Sequence, residues 1–226
     1  MQNLHRRRTF ECVELSLHRS SIRQSTCDSR GTALATDDGR MAFVNVVRPR
    51  ASYTDLQQAP EDGRRYELYD GEVLVVPAPI PLHQLAVDRV ADLLKDYRKE
   101  HGGRVFFSPI DIVFSEFDVV QPDVVFFERS REDLIDLRKA IRVAPDLAVE
   151  VLSPSTAATD RGKKMQMLGR YGVPEYWLVD LEARTLEVYA LTGSAYTLAQ
   201  LAAESDTVRS RIFPDFSFRA ATLFEL

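Results

Sequence analysis

Cysteine is almost missing from this chain. Its 226 residues hold two, Cys12 and Cys27, both within the first 40. That spacing fits neither a zinc site nor a CxxC redox pair, and two cysteines do not make a disulfide framework. The scarcity suits a reducing compartment, and a cytoplasmic location is expected. No apolar run approaches the roughly 20 residues that a membrane helix needs, so a soluble protein with no membrane partner is expected. The opening stretch, MQNLHRRRTFECVELSLHRSS, lacks the hydrophobic core of a secretion signal. Excess positive charge is missing too. A net charge of −5 gives no global attraction to nucleic acid, so a polyanion would need a local basic patch or a metal. The motifs GxSxG, GxxxxGKS/T and HExxH are absent, as are clustered Cys/His patterns. These absences remove the nucleophile-elbow hydrolases, the P-loop nucleotide hydrolases and the common zinc enzymes.

What is present divides unevenly. Residues 1–40 are rich in Ser, Thr, Arg and Gly and show no sustained period, which predicts a disordered or weakly ordered extension. Met41 would make a plausible natural start, so a start assigned too far upstream explains this tail. A basic nucleic-acid-binding arm is the sharper and less favoured alternative. Residues 41–226 are expected to form a single domain. There RYELYDGEVLVV reads as a hairpin turned at Asp70-Gly71. PLHQLAVDRVADLLKDYRKEHGG reads as an amphipathic helix with a stripe of Leu82, Ala86, Val90, Leu93 and Tyr97, ended by Gly102-Gly103. Strands are expected near 104–107, 109–115 and 119–127, a short polar helix near 131–139, and a strand at 146–152. A helix should start at Ser153-Pro154, where serine can cap and proline suits the first turn. Two further strands, PEYWLVD and TLEVYAL, and a short C-terminal strand and helix complete the pattern. The fold class is α/β in the mixed sense: a central mixed sheet of long apolar strands flanked by helices.

Two of those apolar strands contain acids. Glu150 interrupts APDLAVEVLSPST, and Asp123 interrupts VVQPDVVFFE just after Pro122, which can open a strand and re-aim a side chain. A buried carboxylate is costly unless a cation, metal or donor compensates it. One such acid is best read as an ordinary ion pair. Two in neighbouring strands can converge, and their mutual repulsion favours a cation between them. Hard oxygen ligands, few in number, suit Mg²⁺ or Mn²⁺. At 100° per residue, Lys164 falls on the helix face of Ala157, Leu168 and Tyr171, aimed at the sheet and the same acids. A snorkelling lysine at the stripe's edge competes with that reading. Glu67, in the hairpin, could add a carboxylate or face solvent. His83, on the face of Ala86 and Val90, is by default a packing residue.

Five blocks now carry a resemblance: YELYDGEVLVVPAPIPLHQ, VVQPDVVF, APDLAVEVLSPST, DRGKKMQMLGRYGVPEYWLVD and LEVY. In this succession the chain, from about Tyr53 to Leu226, resembles the Uma-type restriction endonucleases of the PD-(D/E)XK nuclease superfamily. The resemblance implies a restriction-endonuclease-like core with a four- or five-stranded mixed sheet. It matches Pro122-Asp123 and Glu150 to the superfamily's acids. The lysine expected two residues after the second acid is Leu152 here, and Lys164 matches a lysine supplied by the following helix. Leu168 stands where relatives often carry a tyrosine in that helix. Glu67 resembles an early acid of the fold, and His83 matches the helix start. The implied function is a Mg²⁺- or Mn²⁺-dependent endonuclease acting on nucleic acid, DNA in the first instance. Asp123, Glu150 and the Val151 carbonyl would hold the metal, and Lys164 would orient water and offset charge. Glu67 would hold a second metal or a water, and Arg161, Lys163 and Arg170 could touch phosphates. A homodimer would suit double-strand cleavage. The alternative is a nuclease fold kept as a non-catalytic module that binds nucleic acid or protein.

Overall fold

The computed structural model of the protein describes residues 32–35, 41–44, 49–59 and 62–225. The chain divides into two units, Met1–Arg48 and Pro49–Leu226. In the first, β1 (Thr32–Ala35) and β2 (Met41–Val44) pair antiparallel. The irregular structure expected for 1–40 otherwise lies outside the described residues.

The second unit opens with α1 (Tyr53–Gln57), whose N-cap Ser52 and Asp55 exchange side-chain and backbone bonds in a capping box. The hairpin follows as predicted. In it β3 (Arg65–Tyr69) and β4 (Glu72–Val76) join through Asp70 (φ 53°) and Gly71 (φ 79°), the positive-φ pair that a tight hairpin turn requires. Next come α2 (Pro81–His101), β5 (Arg104–Phe107), β6 (Ile112–Ser115), β7 (Asp118–Val120) and β8 (Val124–Phe127). The strand expected over 119–127 is thus two strands, broken at Gln121-Pro122-Asp123, and the two halves enter different sheets. Pro122 cannot donate to a ladder, so the break falls where the donor is missing. The short polar helix is a 3-10 turn at Arg129–Leu134, ahead of β9 (Leu147–Val151).

The remaining strands are β10 (Glu175–Asp180), β11 (Thr185–Thr192), β12 (Ala195–Ala203), β13 (Thr207–Arg209) and β14 (Ser217–Arg219), before a 3-10 turn at Ala220–Leu223. The main sheet has six strands, in the order β12-β11-β10-β9-β8-β5, rather than four or five. Only β9 and β10 pair parallel, so the sheet is mixed as predicted. A second, antiparallel sheet runs β4-β3-β7-β6.

Alternation along the central strands sorts the core into two layers. Val124 and Phe126 of β8, with Leu147, Val149 and Val151 of β9, face α2 and the C-terminal aromatics. Val125, Phe127 and Ala148, with Tyr176 and Leu178 of β10, face Met167, Leu168 and Tyr69. Parity therefore sends Asp123 and Glu150 to the second layer. The face α2 buries is His83, Ala86, Val87, Val90, Ala91 and Leu94, rotated from the expected stripe. Leu82 is 47% exposed, while Leu93 and Tyr97 flank the core.

Candidate active site

The register of β8 and β9 brings the two strand acids together. Val124 pairs with Val149, so one step further the antiparallel ladder sets Asp123 opposite Glu150. Directly opposed residues on one face of such a pair have side chains about 5 Å apart at Cβ. Asp123 is anchored twice through Oδ2. The Val151 N–H donates to it at 2.9 Å, and His83 Nε2 lies 3.1 Å away. His83 is thus more than a packing residue, because α2 carries it to the carboxylate that Pro122 re-aims.

Lys164 comes from the opposite layer. After β9 the chain makes a turn through Pro154-Ser155, then helical segments Ala157–Thr159, Asp160–Lys164 and Met165–Arg170 run on in succession, the middle one a π turn. The helix begins at Ala157, not at Ser153-Pro154. Ser153 supplies its carbonyl to the Ala157 N–H, while its hydroxyl bonds those of Ser155 and Thr156. Lys164 Nζ then lies 2.9 Å from Glu150 Oε1, 3.0 Å from Glu67 Oε1 and 3.5 Å from Asp160 Oδ1. Glu67 faces inward and is doubly held, accepting from Tyr69 OH at 2.7 Å and from the Gln121 N–H at 2.8 Å. These four charged residues are each 4% exposed or less.

Asp160 is the member that the sequence reading missed. Its signal was there, since it stands four residues before Lys164 on a helix, the spacing at which side chains meet. Tyr69, Gln121 and Tyr176 were missed as well. Tyr176 OH donates to the Asp160 carbonyl at 3.2 Å and helps fix the π turn. The predicted basic helpers stand elsewhere. Arg161 is paired with Glu187 (2.6 Å) and Asp180 (3.6 Å), Lys163 with Glu72 (2.7 Å) and Arg170 with Asp118 (2.9 Å). Val151 does not line the cavity and meets the site through its N–H.

Four carboxylates against one ammonium leave the cluster short of positive charge. Burial pushes the Glu150 carboxyl well above the ordinary range; Lys164 opposes this, while Asp160, Asp123 and Glu67 add to it. Burial raises Asp160 too, again against Lys164. For Lys164, burial disfavours the charged form, but Glu150 and Glu67 outweigh it and hold the ammonium well above its usual range.

Glu67, His83, Gln121, Asp123, Glu150, Asp160 and Lys164 all line one cavity of about 100 Å³. Two buried polar atoms on its wall, His83 Nδ1 and Gln121 Oε1, have no hydrogen-bond partner. Carboxylate donors, a negative imbalance and these two unpartnered polar atoms fit a hydrated divalent cation. Among the described residues no three His, Cys, Asp or Glu side chains stand ready to cage an ion alone.

A family model described as "Putative restriction endonuclease" (Uma2) matches residues 51–222. The chain belongs to the Uma2 family. The match runs from just before α1 into the C-terminal 3-10 turn and so contains every residue of the cluster. Comparison with curated proteins returned no match. Among solved structures, this Uma2 chain is similar to a "putative nuclease belonging to DUF820" from Anabaena variabilis ATCC 29413. The two share 21% identity over 76% of this chain and 97% of that one, with a TM-score of 0.63. At that identity the likeness establishes a shared fold and nothing of its role. Among the described residues no helix is long and apolar enough to cross a membrane.

Proposed function

We propose that this Uma2 protein is a divalent-metal-dependent nuclease that hydrolyses phosphodiester bonds in nucleic acid, with DNA as its substrate. The observation that carries the reading is the convergence of Glu67, Glu150 and Asp160 on Lys164, with Asp123 lining the same cavity opposite Glu150.

Asp123 and Glu150 would hold Mg²⁺ or Mn²⁺; Val151, which does not line the cavity, would hold Asp123 in place through its N–H rather than ligate the ion. The bound ion would polarise a phosphodiester oxygen and acidify a water. His83 keeps the Asp123 carboxylate in one orientation. Glu67 and Asp160 hold Lys164 charged and in place. Its ammonium would then oppose the negative charge that grows on a phosphate under attack. A preorganised group of this kind needs no rearrangement when the charge appears.

One observation favours a second reading. Lys164 is enclosed by carboxylates, and Leu152 holds the position where a lysine was expected, so the cluster could be an ion network that only shapes the fold. Calorimetric titration of Mn²⁺ into the wild type and into Glu150→Gln separates the two. Binding by the wild type that is lost in the variant, together with Mn²⁺-dependent nicking of plasmid DNA by the wild type alone, supports the nuclease. Absence of Mn²⁺ binding by folded wild type, with or without added DNA, overturns it in favour of the network.

A further inference from the structure

We infer that Arg65 is the residue that grips a phosphate of the nucleic-acid substrate beside the acidic cluster, a proposal that rests on the nuclease reading above. The cavity poses a problem that Arg65 answers. A cluster rich in carboxylates attracts a cation but repels a phosphodiester, so the substrate needs a positive group on its own side of the site. Lys164 faces Glu150, Glu67 and Asp160, and the other basic residues of its helix are spent on carboxylates away from the cavity wall.

Arg65 differs in each respect. It lies on β3 two residues before Glu67, so the pleat turns both side chains to the same face. It lines the same cavity as Glu67, Asp123 and Glu150. Its guanidinium donates to Ser108 Oγ and to the Pro77 carbonyl at 3.4 Å, both neutral acceptors. Among the described residues no ion pair joins it to a carboxylate. These bonds aim the group without cancelling its charge. Ser108 is itself tied to the site, because its N–H donates to the Asp123 carbonyl at 3.0 Å. Arg65 is therefore held in register with Asp123 through one intervening residue. A planar guanidinium with donors to spare is the side chain suited to a two-point grip on phosphate oxygens.

The test measures binding of a fluorescein-labelled DNA duplex by anisotropy, with Ca²⁺ in place of Mg²⁺ so that the substrate stays intact. Four chains are compared: wild type, Arg65→Gln, Ser108→Ala and, as an exposed control, Arg209→Gln. Arg65→Gln is expected to weaken binding about tenfold and to flatten the dependence of log K on log salt by about one. Ser108→Ala keeps the charge and loses only its aim, so its loss is smaller; Arg209→Gln binds as the wild type does. Mn²⁺ titration should be unchanged in all three variants, showing that the site is folded. Duplex binding by Arg65→Gln equal to wild type, while Mn²⁺ binding still depends on Glu150, overturns the role of Arg65 and leaves the nuclease reading standing. A wild type that takes up Mn²⁺ but no duplex overturns the phosphate grip. One that takes up neither overturns the nuclease reading and the grip with it.

Discussion

Glu150 holds a position that its own strand makes expensive. Val149 and Val151 bury into the α2 layer, and the residue between them must enter the other layer whatever its charge. Burial raises Glu150 and Asp160 both, and the neighbouring carboxylates add to it against the opposing Lys164 ammonium. The sign follows. Both acids keep protons in the folded chain at pH values where the unfolded chain has released them, so the native state binds more protons above the ordinary value of 4.5 for Glu150. The stability linked to the protonated form is complete below that value and is lost as pH rises through the higher folded value. Glu150→Gln cannot lose a proton. Without metal, its urea midpoint should therefore gain on the wild type's as pH rises from about 5 to about 8. Mn²⁺ should restore the wild type and leave the variant unmoved. A gap that stays constant with pH would mean that Glu150 keeps one protonation state throughout. At this scale Asp123, Glu150 and Lys164 were legible in the sequence because a charge inside an apolar period stands out. Asp160 was not, because it sits among polar neighbours in DRGKK and acquires meaning only from the packed helix.

Among the elements, the passage from α2 into β5 shows how tightly the frame around the site is built. Gly103 sits at φ 96°, and its N–H donates to Glu132 Oε1 at 2.6 Å. A Cβ there would lie 2.5 Å from the Phe126 ring and 2.6 Å from the Phe127 carbonyl oxygen. The Phe127 carbonyl cannot give way cheaply, since it belongs to the backbone of β8, which is paired by β5 on one side and β9 on the other. Gly103→Ala should cost roughly 1–3 kcal/mol in the denaturant midpoint, from backbone strain alone. A variant as stable as the wild type would show that the α2–β5 junction can shift. The hairpin, α2 and β8–β10 could be read from periodicity and turn residues. The π turn could not, since nothing local marks an extra residue in a helical repeat. The face prediction for Lys164 held because Met165–Arg170 below it is regular, which keeps Leu168 and Lys164 on one side. β12 was overlooked for a related reason. It is an edge strand of the six-stranded sheet, mostly exposed, and lacks the alternation that marks a half-buried strand.

For the whole molecule, the boundary of the working unit matters more than its charge. Among the described residues the three apolar clusters lie between Ala51 and Phe224, and the family match covers 51–222. Every residue of the acidic cavity falls inside the same span. The mixed sheet was foreseeable because its central strands are continuous apolar runs, but its two-layer packing was not. That packing depends on the break at Pro122, which sends β7 to one sheet and β8 to the other. The break also delivers Asp123 to the cavity, so fold and site share one cause. A chain that starts at Pro49 retains all of these parts. We expect it to fold on its own and to unfold in a single cooperative transition in urea. It should also bind Mn²⁺ with the same affinity by calorimetry. A truncated chain that folds equally well but loses Mn²⁺ or duplex binding would assign residues 1–48 a part in the site, and would revive the basic-arm reading of the tail. A truncated chain that fails to fold would show that the core drawn here is incomplete.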